Sequence, residues 1–145
     1  MKIIDTNILN KFVKGEIILD LSNGFYITDD LKNEIDNLKS ISSEYKRQAE
    51  RITFIDIKNH PHFNEAKYLE NYKQSINKYN SIVSFYGLKG LGDISIIAMI
   101  STIINHPNPT LFEGNDIIEI ITHDGPLKDV LGEKFGKKII INDPM

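Results

Sequence analysis

Four short stretches of the chain set an acid beside an apolar run. Asp5 ends the run "KII" and is followed by Thr6 and Asn7. Glu34 lies six residues after Thr28, just beyond the apolar "FYI". Gly92 and Asp93 open the oily segment "ISIIAMISTII". Thr122 and Asp124 close the run "IIEII". Carboxylates brought together repel one another unless a cation sits among them or some keep their protons. The chain has no cysteine, and no histidine stands at zinc-ligand spacing to an acid. The fitting ion is therefore hard and oxygen-seeking, Mg²⁺ or Mn²⁺. Such ions favour phosphate oxygens, which points to phosphate-ester chemistry.

The elements that must carry these acids alternate between strands and helices. "KIID", "GFYIT", "RITFIDI", "IIEIIT" and "KKIII" read as strands. "NILNKFVKG" reads as a short helix stopped by Gly15, and "DLKNEIDNLK" as a helix capped by Thr28 or Asp29. Tyr68, Tyr72, Ile76, Tyr79, Val83 and Tyr86 recur at helical spacing, one face of a helix from Asn64 to Tyr86. That face is expected to be core rather than interface. "GDISIIAMISTII" is apolar nearly all round and belongs at the centre, against the sheet. "GPLKDVLG" is a short helix closed by Gly132. The alternation predicts an α/β sandwich around a mostly parallel sheet. In such sheets sites form outside the carboxyl ends of the strands. If the first and fourth strands are neighbours, Asp5, Glu34, Asp93 and Asp124 meet at one edge.

At 145 residues the chain is one domain, 1–145. Its composition, 41% hydrophobic and 26% charged, is that of a globular protein. No secretory leader or membrane-length apolar segment is read, so a soluble, cytoplasmic protein with no membrane partner is expected. Net charge is -3, which does not advertise nucleic-acid binding. Residues 44–91 nevertheless hold eight Lys and Arg against five Asp and Glu, a balance of +3, whereas the rest holds nine against fifteen. Lys46, Arg47, Arg51, Lys58, Lys73, Lys78 and Lys89 are candidate phosphate contacts without a common stripe.

"IIDTN", Thr28 with Glu34, "GD" at Gly92–Asp93 and "T-x-D" at Thr122–Asp124 come in the order and spacing of a PIN domain, and over nearly its whole length the chain resembles that family. It includes VapC-like toxin ribonucleases and RNA-processing nucleases. The resemblance implies a three-layer α/β/α sandwich around a five-stranded parallel sheet of order 3-2-1-4-5. It implies Mg²⁺- or Mn²⁺-dependent cleavage of single-stranded RNA by Asp5, Glu34, Asp93 and Asp124. A homodimer and, for a toxin, an antitoxin protein are the implied partners. Asp5, Asp93 and Asp124 would bind the metal, while Glu34 and Asp124 complete its shell, hold a second ion or orient water. Thr6, Asn7 and Thr122 would hold the carboxylates by hydrogen bonds, or Asn7 would touch the phosphate.

Competing readings exist for each feature. Any of the four acids alone is as well explained by a turn or a helix cap. Asp36 competes with Glu34, and Asp116 and Asp129 lie near Asp124. His60 and His62 are expected in a solvated loop rather than at a metal. His123 either approaches substrate or turns away. A haloacid-dehalogenase-type phosphatase needs a second Asp where Asn7 stands and an acid where Ile96 and Ile97 stand. A response-regulator receiver needs an acidic pair at the first strand, which Asp5 lacks. A PIN-like fold without catalysis would be an RNA- or protein-binding module.

Overall fold

Consecutive isoleucines in the strands face opposite ways, and this organises the molecule. The structure is a computed structural model that describes residues 1–79, 90–105 and 117–145. It is mixed α/β, with strands β1 (Lys2–Ile4), β2 (Phe25–Ile27), β3 (Phe54–Asp56), β4 (Ile118–Ile121) and β5 (Ile139–Asn142). The helices are α1 (Thr6–Val13), α2 (Asp29–Ile41), α3 (Ser43–Ala49), α4 (Glu65–Lys78), α5 (Leu91–Ile104) and α6 (Gly125–Phe135). Strands β1, β4 and β5 form one parallel sheet in the order β1-β4-β5, and β2 pairs with β3 in a second parallel sheet. Strands β1 and β2 run close together, but no ladder joins them among the described residues.

Side chains alternate across a strand, so β1 and β4 each feed two cores. Ile3 and Ile120 enter one cluster with α5, Leu31 of α2 and Leu127, Leu131 and Phe135 of α6. Ile4 and Ile121 enter the other with Ile8, Leu9 and Phe12 of α1, Ile35 of α2, and Tyr45 and Ala49 of α3. Helix α5 is buried from Ile94 to Ile103, as its all-round apolar sequence requires. No helix among the described residues is long and apolar enough to cross a membrane.

Tyr68, Tyr72, Ile76 and Tyr79 pack, partly buried, against the α5 core, the core role expected of that face. Helix α4 is described over Glu65–Lys78; the rest of the expected stretch to Tyr86 lies, from residue 80 on, outside the described residues. Val83, Tyr86, Lys89 and Asp116 lie outside the described residues.

Two sequence expectations are corrected, and one helix, α3, has no counterpart in the sequence reading. Its signal was Ser42, which accepts from the Tyr45 N–H at 3.2 Å and caps the helix with Glu44 in the first turn. Gly132 does not close α6. The helix runs on so that Leu131 and Phe135 bury the same face, and Gly136, at φ 54°, ψ -123°, ends it. His60 and His62 are not in a solvated loop. Both are buried, because the turn folds back: the His62 N–H donates to His60 Nδ1 at 3.1 Å. The His60 ring meets Tyr26 edge-on at 5.3 Å.

The two glycines give a test of opposite signs. Gly132 is exposed in the helix with nothing within 4 Å of an added Cβ. Gly132→Ala is expected to stabilise by about 0.5–1 kcal/mol. Gly136→Ala forces a side chain into a conformation open to glycine alone and is expected to cost ~1 kcal/mol or more. Urea unfolding of both variants measures the pair; a loss at Gly132 would restore that residue as the helix stop.

Candidate active site

Asp5 is held from both sides by neighbours the fold brings to it. Its N–H donates to the Ile121 carbonyl at 3.0 Å, one step beyond the β1–β4 ladder. Its side chain caps α1: Oδ1 accepts from the Asn7 N–H at 3.1 Å. Its Oδ2 accepts from the Thr122 hydroxyl at 2.8 Å. Thr122 is fully buried, and its oxygen also accepts from the Asp124 N–H at 3.1 Å. Asp124 in turn caps α6, with Oδ1 accepting from the Leu127 N–H at 2.8 Å.

Glu34 comes from the middle of α2. Its Oε2 accepts from the Thr6 hydroxyl at 2.6 Å. Its carboxylate lies so close to α5 that a Cβ at Gly92 would stand 2.9 Å from Oε1. The glycine of the "GD" pair is thus the space Glu34 occupies. Two hydroxyls fix this approach: Ser95 donates to the Gly92 carbonyl at 2.6 Å and lies 2.7 Å from the Thr28 hydroxyl. Thr28 caps α2 through the Leu31 N–H at 3.2 Å. The Thr28 of the motif therefore ties the starts of α2 and α5 together. Asp36 is exposed on the other side of α2.

Asp5, Glu34, Asp93 and Asp124 act on one another electrostatically. The Asp93 carboxyl is pushed up to about 7, first by burial and then by Asp5, Asp124 and Glu34, with no hydrogen bond to it among the described residues. Burial also raises Asp5 and Glu34; the Asn7 N–H and Thr122 hydroxyl moderate the first, the Thr6 hydroxyl the second. None of the four acids is in an ion pair among the described residues. What offsets their repulsion is backbone: Asp5, Asp93 and Asp124 lie at the starts of α1, α5 and α6, where helix ends carry partial positive charge.

The other candidates fall outside this cluster. Asn7 contributes its N–H to Asp5, while its side chain is exposed. His123 turns away and meets Asp143 at 3.1 Å. Among the possible phosphate contacts, Arg47 pairs with Glu44 at 2.7 Å and Lys58 with Asp29 at 3.0 Å. The sequence reading missed Ser95 and the space at Gly92. Neither is legible without knowing that α2 crosses α5 there.

No group of three or more His, Asp or Glu side chains among the described residues is arranged so that it could hold a metal ion as it stands. The donor chemistry nonetheless suits Mg²⁺ or Mn²⁺: carboxylate oxygens without a counter-charge, in hydroxyl surroundings. Mg²⁺ needs only one or two carboxylates and keeps several waters. No protein-family model, curated protein or solved structure significantly matches the chain.

Between its ordinary value of 3.8 and about 7, folded Asp93 keeps a proton that the unfolded chain has released. Folding stability therefore falls as pH rises through that range. Without divalent metal, the Tm is expected to drop between about pH 4 and pH 7. Asp93→Asn should remove most of that drop; thermal scans showing an equal slope in the variant would refute the assignment.

Proposed function

We propose that the chain is a metal-dependent phosphodiesterase that cuts single-stranded RNA, on a PIN-like scaffold. The carrying observation is the mutual repulsion of four carboxylates, three from helix starts and one from the middle of α2, felt most by Asp93, with no cation paired to them among the described residues. On this reading the two short sheets are parts of one sheet of order 3-2-1-4-5 in a three-layer sandwich, supported by the closeness of β1 to β2 and the core clusters on both faces of β1 and β4.

Asp5, Asp93 and Asp124 would hold Mg²⁺ or Mn²⁺. When bound, the ion supplies an acidified water and a counter-charge for the phosphate. Thr122 keeps the Asp5 carboxylate turned into the site and at the same time holds the start of α6. Thr6 holds Oε2 of Glu34 and leaves Oε1 free to accept the proton of the attacking water. The new P–O bond forms from that water as the leaving oxygen departs. The exposed Asn7 side chain would touch the scissile phosphate.

Titration of Mg²⁺ or Mn²⁺ to millimolar levels is expected to raise the Tm of the wild type by ligand linkage, and much less in Asp5→Asn or Asp93→Asn. Labelled single-stranded RNA should be cut by the wild type only with metal, with a loss of about 100-fold or more in either variant. A Tm indifferent to metal, or cleavage that survives both substitutions, would sink the proposal. RNA binding without metal-dependent cutting would favour the binding module.

Gly92→Ala separates chemistry from folding. The three atoms nearest the added Cβ all belong to the far end of Glu34, and alanine is the better helix former by up to ~1 kcal/mol. The variant should fold with a Tm near that of the wild type yet lose about tenfold or more in cleavage rate, since small misplacements of reacting groups are costly. Full activity would remove Glu34 from the reaction.

A further inference from the structure

A small cavity of about 160 Å³ lies where α4, α5 and α6 come together. Helix α4 lines it with Asn71, Gln74, Ser75 and Lys78, and Tyr79 follows just past the helix end. Helix α5 adds Ser101 and α6 adds Lys134. Ser101 stands eight residues along α5 from Asp93, a rise of ~12 Å, and Lys134 stands ten residues past Asp124, ~15 Å along α6. The cavity is separate from the acid cluster. Each lining side chain carries a hydrogen-bonding group and none is a carboxylate, which disfavours an apolar ligand or a cation as occupant. The volume lies below the ~300–1,000 Å³ of small-molecule pockets, so an ion or one charged end group fits and a whole cofactor does not.

Two full positive charges border this cavity from different helices. Lys78 is in the last turn of α4 and Lys134 in the last turn of α6, where the negative helix end favours a cation. That accounts for one lysine at each end. It does not account for both bordering one cavity with no acid to match them. Neither lysine is in an ion pair among the described residues. Their ammonium groups lie over neutral rings, Lys78 over Tyr79 at 5.4 Å and Lys134 over Phe135 at 5.8 Å, and a ring attracts a cation without cancelling its charge. Asn71 gives one amide hydrogen to Thr102 at 3.1 Å and has a second to offer. Gln74 and both lysines are exposed, so an anion reaches them without any unfolding. Lysines, side-chain amides and hydroxyls are the groups that ordinarily contact phosphate oxygens.

We propose that this cavity binds a phosphate group, with Lys78 and Lys134 supplying the charge and the Asn71 and Gln74 amides donating to its oxygens. The same chemistry serves a free phosphate or small monoester and a backbone phosphate of a nucleic-acid strand. The site goes beyond the RNA-cleaving reading and does not depend on it.

The test needs no turnover. Side-chain amide signals of Asn71 and Gln74 are followed by NMR in metal-free buffer at constant ionic strength, while sodium phosphate, UMP or a single-stranded oligouridylate without terminal phosphates replaces sodium chloride. Phosphate is expected to shift both amides to saturation. Lys78→Gln and Lys134→Gln should each weaken that binding about tenfold, the effect of one charge-assisted hydrogen bond. Both should keep the Tm of the wild type, because the lysines are exposed. Lys73→Gln, on the same helix but outside the cavity, should bind as the wild type does. Saturation by phosphate and UMP alone assigns the site to small phosphate compounds. Saturation by the oligomer as well assigns it to a strand, and each cavity lysine variant should then lower the slope of log affinity against log salt by about 0.7. Amides that phosphate leaves unmoved, cavity variants that bind as tightly as the wild type, or an equal loss in Lys73→Gln would each overturn the site. Metal-dependent cleavage plays no part in these outcomes, so the nuclease reading stands or falls separately.

Discussion

The buried hydroxyl of Thr122 is the interaction on which the site depends. It donates to Asp5 at the end of β1 and accepts from the N–H of Asp124 at the start of α6. These residues lie 117 positions apart in the case of Asp5, and only the parallel pairing of β1 with β4 brings them together. The Asp5 N–H extends that pairing to Ile121. A slip of one residue would turn Thr122 from the hydroxyl's present side to the opposite face and separate Asp5 from Asp124. Register, rather than any single contact within the site, therefore sets the first two acids.

The other two acids depend on how α2 crosses α5. Leu31 of α2 packs in the same core as α5, and Thr28 and Ser95 pair beneath it. Glu34 then fills the space left by the missing side chain of Gly92. Hydroxyls recur at every joint: Thr6 on Glu34, Thr122 on Asp5, Thr28 on Ser95. Each is neutral and can donate to a carboxylate without cancelling its charge. A lysine in any of these places would have quenched the repulsion that raises Asp93. The arrangement preserves negative potential while fixing geometry.

Much of this was legible in the sequence because strand ends and caps are local. Asp5, Thr28 and Asp124 sit where a polar residue meets an apolar run, and all three cap helices. The apolar body of α5 announced its burial by composition alone. What could not be read depends on long-range approach: Ser95 looks like any serine in an oily helix until Thr28 stands 2.7 Å away. Gly132 shows the reverse failure. A glycine after an apolar run resembles a stop, but burial of Leu131 and Phe135 on one face outweighs its weak helix propensity. His60 and His62 were misread for a similar reason, since their burial comes from a turn closing onto Tyr26, a contact outside the local pattern.

A cluster of half-buried carboxylates destabilises the fold that carries it, so something must outweigh it. Helix α5 does so directly. Asp93 lies in its first turn, and from Ile94 to Ile103 the helix is enclosed by apolar neighbours. Burying one isoleucine contributes ~1.5–3 kcal/mol, and this helix buries several in succession. Its all-round apolar character, unusual for a helix on a sheet, is then explained by its task. The helix cannot tilt or retreat to relieve Asp93, because every face is packed. Repulsion among the four acids is therefore held in place rather than relaxed, and a proton on Asp93 relieves it at low pH.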